Sequence, residues 1–321
     1  MHSFDELLLA FSEHFKQSHF PAGTPTLYGP ANYFLEMGGK RIRPVCVLMG
    51  NELFDTILPD SWMVATAIEL FHNFTLIHDD IMDKAPLRRG METVHTRYGE
   101  PTALLSGDVM LVAAYDYLNK VKAPSFHRII RIFNQTARQV CEGQQLDMDF
   151  EKLDRVSLED YLQMITLKTS VLLAASLQLG AVLGGAGEGN QQHIYTFGKH
   201  LGISFQIQDD YLDAFGDPVR FGKQVGGDIL SNKKTFLLIR ALETADAGQQ
   251  QQLRELLKSD PPDKVEQVLE IYRACGVHEW ALDLKTQYLQ SALQNLDDIA
   301  VVSKRKAPLE ALARFLVQRD Y

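Results

Sequence analysis

The stretch MVATAIELFHNFTLIHDDIMD, Met63–Asp83, decides the fold class of this chain. Its apolar residues step alternately by four and three positions, the spacing of one face of an α-helix: Met63, Ala67, Leu70, Phe74, Ile77 and Ile81. Asp60, which follows Pro59, is the expected N-cap of this helix. At its other end the run DDIMD places Asp79 and Asp83 one turn apart. We therefore predict a long helix that ends in a pair of carboxylates.

The same helical spacing continues along the chain, and strand patterns are scarce. No proline occurs between Ser125 and Asp217, which leaves room for a series of long helices. None of the breaks has the composition of a flexible interdomain linker. We predict an all-α protein with a single domain over residues 1–321, whose long helices surround a central cavity, a common place for ligand sites in helical bundles.

Composition excludes several classes of function. A formal net charge of -9 argues against general affinity for nucleic acid or for an anionic membrane surface. The three cysteines form no CxxC pair, so a disulfide framework or a structural zinc site is not expected. The amino terminus is acidic and lacks the basic region of a secretory signal. We expect a cytoplasmic protein.

The apolar segment from Ser170 to Gly187 is the part of the chain most easily mistaken for a membrane span. It contains Ser176 and Gln178 and ends in a run of glycines. These features favour a buried bundle helix over an integral membrane span.

A second acidic motif, Asp209-Asp210-Tyr211-Leu212-Asp213, repeats the DDxxD pattern of the first. Carboxylates one helical turn apart repel each other by about 0.2–0.5 kcal/mol, so a cation must compensate them. Hard oxygen ligands suit Mg²⁺, which completes its coordination with water and substrate phosphates. One such polar stripe could be a solvated helix face. Two stripes, each followed by basic residues, favour a site for a metal ion and a diphosphate.

Three basic, glycine-containing segments accompany the acidic motifs. The first is Gly38-Gly39-Lys40-Arg41-Ile42-Arg43-Pro44, and the second, Arg88-Arg89-Gly90, lies in the predicted loop after the first acidic helix. The third follows the second acidic helix and contains Gly222-Lys223, Gly226-Gly227-Asp228 and Lys233-Lys234-Thr235. Glycine lets the backbone approach a ligand, and Arg and Lys neutralise phosphate groups. The order of an acidic helix followed by a basic loop therefore occurs twice.

Together these motifs resemble those of the trans-type polyprenyl diphosphate synthases, the family of farnesyl and geranylgeranyl diphosphate synthases. The resemblance rests on GGKRIRP, HDDIMD followed by LRRG, the pair Lys168-Thr169, FQIQDDYLDAFGD and GKQVGGDILSNKKT, in that order. It implies the isoprenoid synthase type I fold, a homodimer and two substrates, isopentenyl diphosphate and an allylic diphosphate.

The resemblance also implies the metal ligands. Asp79 and Asp83 would hold two Mg²⁺ ions with Asp80 supporting them, and three ions in all would bridge the allylic diphosphate. Asp209 would hold the third ion, with Asp210 and Asp213 beside it.

The same resemblance assigns the substrate contacts. The allylic diphosphate would be bound by Arg88, Lys168, Lys223 and Lys233. Isopentenyl diphosphate would be bound by Lys40, Arg43, His72 and Arg89. Thr169 and Gln206 would line the cavity near the reacting carbons. Asp147, in the run GQQLD, resembles a further family motif and could support the site from behind.

Product length is the least determined property. Phe74 precedes Asp79 by five residues, about 7.5 Å along the helix, and by resemblance a bulky residue here limits chain elongation. A helical wheel places Phe74 roughly 140° from Asp79, so this role rests on the resemblance, and core packing is the alternative. Because Thr75 is small and DDIMD carries no insertion, we favour a C20 product over a C15 product.

Three other activities fit part of the sequence. A type I terpene cyclase would share the first DDxxD but not the second with its lysine loop. A metal phosphohydrolase of the HD type would use His72 and the His78-Asp79 pair, and would leave the second acidic motif unexplained. A non-catalytic regulatory subunit of a prenyl synthase usually has degraded aspartate motifs, and both motifs are intact here.

Overall fold

The computed structural model describes residues 1–216 and 226–318. Its helices in chain order are α1 (Phe4–His14), α2 (Pro25–Glu36), α3 (Ile42–Glu52), α4 (Pro59–Met82), α5 (Val94–Tyr98), α6 (Glu100–Leu118), α7 (Phe126–Phe150), α8 (Leu158–Ile165), α9 (Val171–Leu183), α10 (Glu188–Phe215), α11 (Gly227–Leu230), α12 (Phe236–Thr244), α13 (Ala247–Leu256), α14 (Lys264–Ala274), α15 (Val277–Asp297) and α16 (Ser303–Gln318). Two short strands, β1 (Leu87–Arg88) and β2 (Met91–Glu92), form an antiparallel hairpin. The predicted all-α class is confirmed.

Contacts between Cα atoms group the chain into two compact units. Unit 1 consists of Met1–Asn134, Ala175–Ile194 and Val301–Pro308. Unit 2 consists of Gln135–Ala174, Tyr195–Ala300 and Leu309–Tyr321, so far as these are described. The single domain over residues 1–321 stays a prediction.

Helix α4 is the centre of unit 1. It packs against α3 and α6, and from Val64 to Phe71 every residue is buried. The helix begins at Pro59, a position that suits proline because the first amide needs no intrahelical partner. The predicted N-cap at Asp60 is wrong: Leu58 occupies that position, and Asp60 accepts instead from the backbone amides of Lys122 and Ala123 at 3.0 and 2.7 Å.

Close helix contact in unit 1 depends on glycine. A Cβ atom on Gly180 of α9 would lie 2.0 Å from the carbonyl oxygen of Val47 in α3. No side chain fits between the two helices at this crossing, so α9 lies directly against α3.

Unit 2 has its own apolar core. Large side chains from α8, α10, α12 and α14 meet there, among them Tyr161, Ile207, Phe236 and Tyr272. Between α8 and α9 the residues Thr166–Ser170 form a π-helical turn, so the segment Leu158–Leu183 is helical without a break. A π-turn in this position reorients the side chains that it carries.

One described segment is long and apolar enough to cross a membrane. Its most apolar window, within Leu158–Leu183, has a mean hydropathy of 1.5, and 72% of that window is buried inside the protein. Such burial is what a core helix shows.

Candidate active site

The first aspartate motif forms the C-terminal end of α4. The backbone amide of Asp83 donates to the carbonyl oxygen of Asp79 at 2.8 Å, so both residues lie on one face of the helix. Asp79 is half-buried and Asp83 is exposed. The carbonyl groups at a helix C-terminus carry partial negative charge, which adds to that of the carboxylates. This end of α4 therefore concentrates negative charge in one place.

Asp80 has a different environment from its neighbours. Its carboxylate is 2% exposed and accepts from Arg88, whose Nε lies 2.9 Å from each oxygen and whose Nη2 lies 2.8 Å from Oδ1. Burial raises the pKa of Asp80, and the hydrogen bond and charge of Arg88 oppose this rise. Because such charge-assisted contacts are directional, Asp80 fixes the Arg88 guanidinium next to the first motif.

The β-hairpin positions both arginines of the LRRG run. Arg89 and Gly90 have φ angles of 54° and 78°, the pattern of a two-residue type I′ turn. The sequence predicts a loop at these residues, and the structure forms a tight hairpin there. The Arg89 guanidinium donates to the carbonyl oxygen of Gly38, and a Cβ atom on Gly39 would lie 3.0 Å from its Nη2. Glycine at position 39 therefore leaves room for Arg89 beside the GGKRIRP segment.

Arg41 has a structural role in GGKRIRP. Its guanidinium pairs with the carboxylate of Glu69 in α4, which is 3% exposed and also accepts from Asn73 at 2.9 Å. This ion pair ties the segment to α4, although the Arg41 backbone is left-handed with φ 48°. The diphosphate contacts predicted for this segment fall on Lys40, which is exposed, and on Arg43.

Arg43 and His72, both predicted to bind isopentenyl diphosphate, lie together. The Arg43 Nη1 is 3.0 Å from the His72 Nε2. Burial, and next the charge of Arg43, hold the pKa of His72 well below its ordinary value, so the ring is neutral at pH 7. Since a guanidinium only donates, Nε2 must accept, and the ring proton lies on Nδ1. The Arg43 Nε is buried without a hydrogen-bond partner in the described part of the chain.

Phe74 and His78 lie on the side of α4 that meets α6. The Phe74 ring is 5.6 Å from the Phe71 ring and 4.7 Å from the His78 ring. The His78 Nε2 donates to the carbonyl oxygen of Leu104 at 3.1 Å, and a Cβ atom on Gly107 would lie 2.3 Å from it. A phosphohydrolase of the HD type would use both His72 and His78, but His72 pairs with Arg43 of α3 and His78 with Leu104 of α6. The chain-length role of Phe74 stays a prediction.

In unit 2, the second aspartate motif occupies the last turns of α10. Asp210 is buried and accepts from the Tyr161 hydroxyl at 2.6 Å and from the Gln206 amide at 2.8 Å. Burial, followed by the charge of Asp228, raises the pKa of Asp210 to about 7. The Gln206 oxygen also accepts from the Thr169 hydroxyl at 3.2 Å. The predicted residues Thr169, Gln206 and Asp210 therefore form one hydrogen-bonded chain.

Lys233 reaches the second motif through Asp228. The Asp213 carboxylate accepts from the backbone amide of Asp228 at 2.9 Å, and the Lys233 Nζ lies 3.6 Å from the Asp228 carboxylate. This turn therefore brings one predicted phosphate ligand beside Asp213. Lys223, the other lysine predicted to bind the allylic diphosphate from this loop, lies outside the described residues.

Lys168 lies in the π-helical turn and is held by α7. Its Nζ donates to the Asp147 carboxylate at 2.6 Å. One helical turn before Asp147, a Cβ atom on Gly143 would lie only 2.2 Å from the Lys168 backbone nitrogen. The run GQQLD thus supplies a glycine that lets α7 approach the turn and a carboxylate that orients its lysine. Asp147 therefore pairs with Lys168, and its supporting role in catalysis stays a prediction.

The donor groups present fit Mg²⁺. Asp79 and Asp83 in unit 1, and Asp209 and Asp213 in unit 2, offer hard carboxylate oxygens at one-turn spacing. Mg²⁺ usually takes one or two protein carboxylates and keeps its other positions for water and substrate phosphates. Beside this motif the Asp228 carboxylate adds to the burial that raises the pKa of Asp210.

Sequence reasoning missed two residues of these networks. Glu69 could have been predicted, since a glutamate within the apolar run ATAIELF must be either exposed or paired with a cation. Tyr161 could not have been predicted, because nothing in the sequence of α8 indicates a hydrogen bond to Asp210, 49 positions later.

Comparison with known proteins agrees with the motifs. The family model described as Polyprenyl synthetase matches residues 24–275. A geranylgeranyl pyrophosphate synthase of Geoglobus acetivorans is 38% identical over 304 residues, covering 92% of this chain and 91% of that protein. A short chain isoprenyl diphosphate synthase of Methanocaldococcus jannaschii is 39% identical over 303 residues, covering 92% of this chain and 90% of that protein.

Comparison of the fold points to the same family of enzymes. A crystal structure of a geranylgeranyl pyrophosphate synthase superimposes with a TM-score of 0.94 at 41% identity, covering 99% of both chains. The match extends over nearly the whole chain in sequence and in structure. This chain belongs to the polyprenyl synthetase family, as a short-chain synthase of the trans type.

Proposed function

We propose that this protein is a Mg²⁺-dependent prenyltransferase that condenses isopentenyl diphosphate with an allylic diphosphate to give an all-trans C20 prenyl diphosphate. The observation that carries the proposal is that each unit combines an intact aspartate motif with positioned cations. Asp80 holds Arg88 in unit 1, and Asp147 holds Lys168 in unit 2. Each unit therefore offers carboxylates that could hold metal ions and cations that could bind a diphosphate.

We assign the metal ligands by family membership and donor chemistry. Asp79 and Asp83 would hold two Mg²⁺ ions, and Asp209 would hold a third. Bound Mg²⁺ supplies charge neutralisation for the departing diphosphate, which is the electrostatic term expected to dominate this reaction.

The cations of the chain bind and orient the two diphosphates. Arg88, Lys168 and Lys233, with Lys223, bind the allylic diphosphate and stabilise the charge that develops as its C–O bond breaks. Lys40, Arg43, His72 and Arg89 bind isopentenyl diphosphate. The neutral His72 ring can donate from Nδ1, and the Arg43 Nε, which has no hydrogen-bond partner among the described residues, can donate to a diphosphate oxygen.

The remaining steps need shielding from water. Ionisation leaves an allylic carbocation, the double bond of isopentenyl diphosphate attacks it, and loss of one proton to the departing pyrophosphate restores an alkene five carbons longer. Water would quench the cation, so the apolar residues around the motifs must exclude it. Thr169 and Gln206, whose side chains hydrogen bond to each other, would line the cavity near the reacting carbons.

We propose a C20 product because Phe74 is bulky, Thr75 is small, and the relatives named above include geranylgeranyl synthases. The enzyme would act in the cytoplasm as a homodimer. Exposed apolar side chains on α6, Leu105 at 56% and Val112 at 60%, offer a surface for the second copy.

The test is product chromatography. Purified protein is incubated with Mg²⁺, isopentenyl diphosphate and, separately, the C5, C10 and C15 allylic diphosphates. We expect elongation that stops at C20. A phosphohydrolase would instead release inorganic phosphate from nucleotides, and a regulatory subunit would give no turnover.

A further inference from the structure

Lys264, the first residue of α14, is buried, although lysine is almost never fully buried unless it is paired. Its Nζ donates to the Asn232 side-chain oxygen at 2.9 Å and to the Asp260 carboxylate at 2.8 Å. Asp260 is 80% exposed, so water screens that ion pair and it contributes little. Asn232 is half-buried, so its hydrogen bond with Lys264 is less exposed to water and is the contact that matters for the packing of α14 against this segment.

Asn232 belongs to the turn at residues 226–234 that carries Asp228 and Lys233. It follows α11 with a left-handed backbone, φ 55°, a conformation that asparagine tolerates better than most residues. The next backbone amide, that of Lys233, donates to the carbonyl oxygen of Asp228 at 3.0 Å. A hydrogen bond to the Asn232 side chain therefore fixes the point at which the chain turns toward Lys233.

The same first turn of α14 also contacts the start of this segment. A Cβ atom on Gly226 would lie 2.6 Å from the Val265 Cγ1, and the Gly226 backbone is left-handed with φ 84°. Val265 thus packs on Gly226 while Lys264 holds Asn232. Between these two contacts lies Asp228, whose amide donates to the Asp213 carboxylate.

We propose that Lys264 is a positioning residue that fixes the turn at 226–234, and so sets where Asp228 and Lys233 stand relative to the second aspartate motif. Its contact with Asn232 carries the effect, and its contact with Asp260 does not. The catalytic consequence rests on the proposed function, because it assumes that Lys233 binds the allylic diphosphate.

Two measurements on the full-length chain test the proposal. The first is hydrogen exchange of the peptide that covers residues 226–235 in Lys264→Met. The matched control is Lys258→Met, which removes the same charge from an exposed site. We expect exchange at least tenfold faster in Lys264→Met and unchanged in Lys258→Met and Asp260→Asn.

The second measurement is steady-state kinetics with each substrate varied in turn. In Lys264→Met, kcat/KM for the allylic diphosphate should fall about tenfold, while the KM for isopentenyl diphosphate stays within twofold. Asn232→Gly keeps the left-handed backbone and removes only the side chain, so it should reproduce the loss. The double variant should be no worse than either single variant, because the two residues act through one contact.

Unchanged exchange in both Lys264→Met and Asn232→Gly would overturn the proposal whatever the turnover. Faster exchange with unchanged kinetics would overturn the positioning role. Inactivity of the wild-type protein would refute the proposed function instead, and the exchange data would still decide whether Lys264 fixes the turn.

Discussion

Replacing Gly143 with alanine should displace Lys168 without replacing any residue that is proposed to contact a substrate. The added Cβ atom would lie 2.2 Å from the Lys168 nitrogen, whereas ordinary contacts begin at 3.4 Å, so α7 and the π-helical turn must separate by about 1 Å. A misplacement of this size can lower turnover about 100-fold. Overpacking of this kind also destabilises a protein by about 1–3 kcal/mol.

The assay is kcat/KM for the allylic diphosphate, with circular dichroism and thermal melting on the same samples. We expect Gly143→Ala to retain its helical spectrum, to melt at a lower temperature and to lose about 100-fold in kcat/KM. Gly189→Ala is the matched control, because a Cβ atom on Gly189 meets nothing within 4 Å. It should be neutral or slightly stabilising.

A Gly143→Ala variant with kcat/KM within threefold of wild type would refute the reasoning. It would mean that the position of Lys168 does not depend on the close approach of α7, or that Lys168 does not act on the substrate.

The other predictions concern product length and pH. Phe74→Ala should lengthen the prenyl chain beyond C20 in product chromatography, and an unchanged product would show that the ring only packs against Phe71 and His78. Asp210→Asn should change how stability depends on pH in the metal-free protein. Because the folded-state pKa of Asp210 is raised from 3.8 to about 7, its stabilising effect is fully present below pH 4 and is lost as the pH rises through 7. Relative to Asp210→Asn, the wild type should therefore lose up to about 4 kcal/mol of unfolding free energy between pH 4 and 8, measured by urea denaturation in a chelator. A constant difference between the two proteins across this range would contradict the effect of burial.

The central helix could be predicted because its evidence is local. The steps of three and four from Met63 to Ile81 specify α4, and the DDIMD spacing specifies which carboxylates share a face. The Asp60 cap failed because its carboxylate bonds to amides more than 60 positions away, at Lys122 and Ala123. A capping rule considers only residues that are close in sequence, so it cannot anticipate such distant partners.

The positions of the cations could not be predicted for the same reason. The backbone of the π-turn at Lys168 lies directly against Gly143 of another helix, and the tight hairpin at Arg89 lacks the usual Asn-Gly or Asp-Gly pair. The motifs identify which residues carry charge. Their orientation follows from Asp80, Glu69 and Asp147, which are partners that lie elsewhere in the chain.

The most direct test of the account is turnover of Asp79→Ala and Asp209→Ala with Mg²⁺, isopentenyl diphosphate and an allylic diphosphate. Both variants should keep the helical spectrum and the thermal stability of a folded protein, and both should lose condensation, because each removes a proposed Mg²⁺ ligand. Near-normal turnover in either variant would contradict the claim that the two aspartate motifs serve one reaction.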